Sequence, residues 1–257
     1  MIINLFFLII CGIFIGFILT SIGLGAALYI GCLITFFHYP GKVAAATSLI
    51  TVLPSVLIGT YLYYKGNFID FKKSNKLLIG ALIGTIGSSL IIPYINKHYY
   101  QIIIHIILIT LALTILYKIL LEPKIIKEKS KSNKTFEVIL AYFSSLVSGV
   151  MVGLAGMDGG GPLVAGMLLL GTPMIQAAAA SSYIRIWTTS LGIILHWNTM
   201  HIAWLPAIFM MIGTIIGSAA SPLIMSKLNN NQKQTFSKVI KPIVAITLLI
   251  MGIKSFL

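Results

Sequence analysis

Apolar residues fill this chain in long runs, interrupted by short stretches of glycine, proline, lysine and asparagine. Reading the runs between these breakers gives ten segments: about 3 to 20, 25 to 37, 43 to 63, 76 to 95, 100 to 121, 137 to 155, 160 to 171, 177 to 196, 202 to 225 and 239 to 256. A helix needs about 20 residues to cross a hydrocarbon core of about 30 Å. The second and seventh segments are too short for that and are expected as re-entrant or half helices. The first, "MIINLFFLIICGIFIGFILTS", has no lysine or arginine before its apolar run and no small-x-small cleavage site, so it is expected to be a retained helix rather than a signal sequence.

The pattern repeats. "AAATSLI" (Ala44 to Ile50) returns as "AAASSYI" (Ala178 to Ile184), each after a proline, Pro40 or Pro173. "IGTIGSSLIIP" (Ile83 to Pro93) is answered by "IGTIIGSAASP" (Ile212 to Pro222), and "SIGLGAALYIG" (Ser21 to Gly31) by "AGMDGGGPLVAG" (Ala155 to Gly166). Three matches in one order make an internal duplication. The expected architecture is an all-α polytopic membrane protein forming a single transporter domain over 1–257. Two inverted repeats of about five segments, 1–121 and 137–257, flank a basic connector at 122–136, and each contains a glycine-broken re-entrant or half helix.

Composition sharpens the class. Charged residues are 9% of the chain, hydrophobic ones 58%, and mean hydropathy is +1.01, whereas soluble domains average about 25% charged. The lipid bilayer is therefore the first partner. The formal charge of +13 comes from lysines between apolar runs, with no basic stripe interleaved with aromatics, so it speaks for topology and against nucleic acid. Cys11 and Cys32 lie in apolar segments without metal or redox spacing and are expected to be structural.

Lysine placement sets the sidedness. Lys65, Lys72, Lys73 and Lys76 follow the third segment, while the matching loop of the second half, "HWNTMHIAW", has none. After the fourth segment the order reverses, with Lys97 alone against Lys227, Lys233, Lys238 and Lys241. Cytoplasmic loops hold the Lys/Arg excess, so equivalent loops lie on opposite sides of the cytoplasmic membrane. The connector is then cytoplasmic and both termini are outside. Tyr61, Tyr63, Tyr64, Tyr99, Tyr100, Trp197 and Trp204 cluster near segment ends, where interfacial anchors belong.

Inverted repeats with glycine-interrupted segments at matching positions point to a transporter's binding site. Here the breaks are "TSIGLG" (Thr20 to Gly25), with Gly23 and Gly25, and "AGMDGGG" (Ala155 to Gly161), with Gly156, Gly159, Gly160 and Gly161. Glycine lets the chain turn and expose N–H groups, and a half helix beyond each break presents its positive end. Such a site takes an anion. Gly80, Gly84, Gly149, Gly153, Gly213 and Gly217 fall instead at the small-xxx-small spacing of helix packing. Thr47, Ser48, Ser181 and Ser182 are placed near the first turn of a helix, where they cap it or donate to a bound oxyanion.

The chain resembles the TauE/SafE (sulfite exporter) family of membrane transporters. The resemblance rests on the duplicated halves, on "GLAGMDGGGPLVAGMLLLGTP" (Gly153 to Pro173) with the following "QAAAASS" (Gln176 to Ser182), and on the weaker copy "GLGAALYIGCLITFFHYPGKVAAATS" (Gly23 to Ser48). It implies passage of a small anion across the cytoplasmic membrane: sulfite, an organosulfonate, or a related sulfur-containing or organic anion.

Asp158 is the only acid placed within the membrane, and Arg185 is the only arginine in the chain. A charge at the bilayer centre costs on the order of 3 kcal/mol or more and is usually paired, so the two are expected to pair. One reading makes them a structural lock. The other makes Arg185 the substrate's cationic anchor, its planar fork suited to oxyanions, with Asp158 holding it until substrate arrives or taking a proton. His196 and His201, near membrane ends, are candidates for a lesser proton-relay role.

Enzyme chemistry is disfavoured, since no second intramembrane acid and no HExxH-like cluster is present. No cofactor or metal site is expected. The inverted repeats favour a secondary carrier working by alternating access over an anion channel or facilitator, or over a receptor or assembly subunit that does not transport. A proton or a sodium ion is the candidate coupling ion.

Overall fold

The computed structural model describes residues 2–128, 134–157, 159–197 and 201–254. Among these, ten α-helices follow one another and no strand occurs: α1 (Ile2–Ser21), α2 (Gly25–Phe37), α3 (Gly41–Lys65), α4 (Phe71–Ser89), α5 (Lys97–Glu128), α6 (Lys134–Ala155), α7 (Gly160–Leu169), α8 (Met174–His196), α9 (Trp204–Lys227) and α10 (Asn230–Lys254), with a short 3₁₀ turn at Ile92–Tyr94. Five spans are long and apolar enough to cross a membrane: Gly41–Lys65, Phe71–Tyr94, His98–Tyr117, Lys134–Ala155 and Trp204–Lys227. The 13 residues of α2 and 10 of α7 reach only about 20 and 15 Å at about 1.5 Å per residue, the lengths of half helices.

Helix ends depart from the apolar runs where polar residues are good helix formers. Helix α4 starts at Phe71, because the Asp70 carboxylate accepts the Lys73 N–H at 3.1 Å and caps the end, a role the apolar pattern could not show. Helix α5 runs on to Glu128 and α6 begins at Lys134, so most of the expected 122–136 connector is helical. Hydrophobicity marks where a helix meets lipid; its hydrogen bonds continue into water.

Helices α3 and α8 begin directly after Pro40 and Pro173, whose φ/ψ values of −57°/144° and −57°/149° are nearly the same. This corrects the placement of four hydroxyls. Thr47, Ser48, Ser181 and Ser182 lie about two turns inside their helices, too deep to cap them.

The helices pack in matched pairs: α1 on α9 and α4 on α6, then α3 on α9 and α4 on α8, with α3 against α8 and α5 against α10. Glycines make the closest approaches. A Cβ on Gly84 would meet the Leu146 carbonyl and one on Gly149 the Ala81 carbonyl, while Gly80 and Gly153 face Ser145 and Ser88. On the other pair, Gly213 and Gly217 abut the carbonyls of Ile9 and Ile13. All six glycines of small-xxx-small spacing are thus packing surface.

Helix α2 is apolar all round and is buried from Gly25 to Thr35, as such a helix must be. It packs on α1, α3 and α10 and shares a core cluster with α5 that includes Leu33, Ile104, Leu108 and Leu248, while α7 packs on α6 and α8 and shares a cluster with α4 that includes Leu77, Ala141, Leu163 and Ile184. The exposed flanks carry Phe14, Ile83, Leu113, Phe143, Ile212 and Ile250, an apolar exterior suited to lipid. Tyr61, Tyr64, Tyr99, Trp197 and Trp204 are exposed, as anchors should be, but Tyr63 and Tyr100 are buried at 0% and 3% exposure.

Candidate functional site

The two glycine breaks meet in the interior. Helix α1 ends at Ser21, where Gly23 takes φ +81° and its N–H closes on the Ile18 carbonyl at 3.1 Å. Helix α6 ends at Ala155, where Gly156 takes φ +63°, and Gly159, φ +60°, turns the chain into α7. These values belong to the left-handed region that glycine enters without steric cost. Gly23 lies backbone to backbone against Gly160, and Gly161 faces the Leu24 side chain. Gly25 is held against Leu19 and the Ile15 carbonyl, which folds α2 back onto the end of α1.

Helix α8 supplies the polar groups at this crossing. The Ser181 hydroxyl donates to the Gly160 carbonyl at 3.2 Å. Arg185, fully buried, donates from Nε to the Ser181 carbonyl at 3.3 Å and from a terminal guanidinium nitrogen to the Ser182 hydroxyl at 2.9 Å. Its aliphatic stem closes over Gly160, where an added Cβ would come 3.1 Å from Cδ. A guanidinium and the positive end of α7 therefore converge, an arrangement that favours negative charge. Asp158, the expected partner of Arg185, lies outside the described residues.

The first half is organised differently. Thr47 donates to the Val43 carbonyl at 2.7 Å and accepts the Ala203 N–H at 3.0 Å, pinning the approach to α9. The Ser48 hydroxyl is buried with no hydrogen-bond partner among the described residues. Thr51, which aligns with Arg185 when Ala44–Ile50 is laid on Ala178–Ile184, instead shares a 2.7 Å hydrogen bond with Tyr29 of α2.

Besides a cavity of about 360 Å³ lined by Leu24, Gly161 and Pro162 among others, two further cavities of unequal size lie near the crossing. The larger of these two, of about 350 Å³, is lined by Lys42, Ala46, Tyr100, Gly156, His196 and His201 among others. His196 Nε2 lies 3.0 Å from the Gly153 carbonyl, and because a carbonyl only accepts, that nitrogen carries the proton. The other, of about 10 Å³, is lined by Ser21, Tyr63, Met174, Ile175, Ala178 and Met225. There the Tyr63 hydroxyl donates to the Thr20 carbonyl at 2.9 Å.

The structure thus brings together Gly23, Gly160, Gly161, Ser181, Ser182 and Arg185, sets Gly156 on the wall of the larger cavity against Ala45, and packs Gly159 against Ser148. Thr47 and Ser48 sit in α3, away from those contacts. Sequence reasoning missed Tyr63 and Lys42. Tyr63 stands at four-residue spacing with Thr51, Ser55 and Gly59, one polar and small face of α3, which could have marked it as interior.

Broken helices crossing around a buried arginine, within a ring of apolar helices of membrane length, define a multi-pass helical membrane protein with a polar centre. The family model for the sulfite exporter TauE/SafE matches residues 8–255, and the chain belongs to this family of membrane transporters. It is similar to the "Probable membrane transporter protein YunE" of Bacillus subtilis (strain 168), with 26% identity over 266 residues covering 95% of this chain and 94% of the relative. No solved structure matches it.

Proposed function

We propose that the protein is a secondary transporter that moves a small anion, such as sulfite, an organosulfonate or a related sulfur-containing or organic anion, across the cytoplasmic membrane by alternating access. The carrying observation is Arg185, fully buried and held by Ser181 and Ser182 beside the Gly23–Gly160 crossing. Its planar fork suits an oxyanion, and the N–H groups of the breaks around Gly25, Gly156 and Gly159 to Gly161 complete the site. Asp158, two positions before Gly160 in sequence, is assigned the role of holding Arg185 until substrate arrives or of taking a proton during the cycle. Thr47 and Ser48 occupy the matching place in the first half.

Inverted repeats at 1–121 and 137–257 are supported by helix pairing. Exchanging α1–α5 with α6–α10 converts α1·α9 into α6·α4 and α3·α9 into α8·α4, and both members of each exchange are packed pairs. The two cavities lie at roughly corresponding places, since Tyr63 near the end of α3 stands one residue beyond Leu62, which aligns with His196 at the end of α8. One is large and its counterpart small, the asymmetry expected of a carrier facing one side. On the reading from lysine placement, the larger cavity faces outside, as do both termini.

The test is flux of labelled sulfite, thiosulfate and small organosulfonates in proteoliposomes, with and without imposed proton and sodium gradients. Arg185→Gln is expected to abolish transport, and Asp158→Asn with Arg185→Gln not to restore it. Recovery in the double variant would make the two a structural pair and sink the anchor role. Counterflow by the unaltered protein would separate a carrier from a channel.

A further inference from the structure

The larger cavity has a one-sided chemistry that the Arg185 site does not use. Lys42, at the start of α3, reaches across to donate from Nζ to the Ile95 carbonyl at 2.9 Å, and its ammonium stands 5.4 Å from the centre of the Tyr100 ring. One hydrogen bond engages one of the three donors on that ammonium. His196 and His201 line the same space, and none of its described lining residues is acidic. Gly156 and Ala45 line it too, and they pack closely, since a Cβ at Gly156 would stand 2.6 Å from the Ala45 carbonyl. The volume of about 350 Å³ holds about ten waters at roughly 30 Å³ each, room for a two- or three-carbon sulfonate with part of its hydration.

We infer that this cavity is an anion antechamber, a second binding position for a small sulfonate or other oxyanion. It is separate from the Arg185 crossing and borders the second glycine break at Gly156. Lys42 captures the anion, with His201 as a flanking donor and His196 as a neutral wall whose N–H is held by Gly153. The physical cause is focusing: a cation on the wall of a low-dielectric cleft raises the local concentration of anions and slows the approach of cations. The inference rests on the anion-transport reading and adds to it the face from which the substrate loads and the residue that selects its charge.

The test needs no turnover. In the full chain with Cys11→Ser and Cys32→Ser, a single reporter thiol is introduced by Ala46→Cys, with Leu49→Cys as a second reporter should the first not fold; both positions line the cavity. Labelling rates are measured with sulfonatoethyl methanethiosulfonate and its trimethylammonioethyl analogue, each scaled to its rate with a small free thiol. The anionic reagent is expected to win by roughly tenfold. Lys42→Gln should remove that preference, Lys42→Arg should keep it, and Arg185→Gln should leave it in place. Equal rates with Lys42 present, or a preference that survives Lys42→Gln and disappears with Arg185→Gln, would overturn the antechamber. A charge preference dependent on Lys42 in a protein that moves no anion would instead count against the transport reading alone.

Discussion

Gly23 and Gly160 touch backbone to backbone: a Cβ built on Gly23 would stand 2.5 Å from the carbonyl carbon of Gly160, and one on Gly160 would stand 2.7 Å from the Gly23 Cα. Each glycine comes from a different broken helix, so this contact seats α2 and α7 relative to each other and places Gly160 under the Arg185 stem.

Neither position has room for a methyl group. Gly160→Ala is expected to destabilise by about 2 to 4 kcal/mol through overpacking, and Gly23→Ala by more, since it adds about 1 kcal/mol or more for a left-handed backbone. Gly87→Ala, in α4 with nothing within 4 Å of the added carbon, should be neutral or stabilise by up to about 1 kcal/mol. Thermal unfolding of the purified variants checks this. If Gly160→Ala melted with Gly87→Ala, the crossing would not be a tight contact.

Tyr63 lines the smaller cavity and is held by one hydrogen bond to Thr20, which on the carrier reading keeps that side closed. A net contribution of about 0.5 to 1.5 kcal/mol corresponds to a population shift of roughly 2- to 10-fold. Tyr63→Phe should therefore raise the labelling rate of a cysteine at Ala178 by that factor and lower the rate of one at Ala46. The Ala178 thiol should react from the cytoplasmic face. An unchanged pair of rates would remove Tyr63 from the closure.

Thr47 serves the frame by accepting the Ala203 N–H. Thr47→Val leaves that part-buried donor without its acceptor, at a cost of about 1 to 3 kcal/mol, whereas Thr47→Ser keeps the acceptor and should lose less than about 1 kcal/mol. Stability and substrate affinity measured side by side decide the point. A loss of affinity in Thr47→Val without loss of stability would move Thr47 into the binding site.

Much of the frame is legible in the sequence because membrane helices obey local rules. Segment length is set by bilayer thickness, the short α2 and α7 follow from glycine at both breaks, and α3 and α8 start where Pro40 and Pro173 fix φ. The packing glycines could be read too, since small residues repeat at helical spacing. Helix ends in water could not, because Asp70 caps α4 through a hydrogen bond invisible to hydropathy.

What the sequence by itself determined, then, is an all-helical membrane chain, its half helices, and the presence of one arginine and one acid near the second break. Only the tertiary structure decided that the two breaks touch, that Ser181 and Ser182 serve Gly160 and Arg185, that Tyr63 points inward while Tyr61 and Tyr64 face out, and that Lys42 shares a cavity with His196 and His201. The reason is range. Period and punctuation report forces between residues within a turn or two, whereas most of these contacts join segments far apart in the chain, and even the local Ser182–Arg185 bond is buried only once the helices have packed.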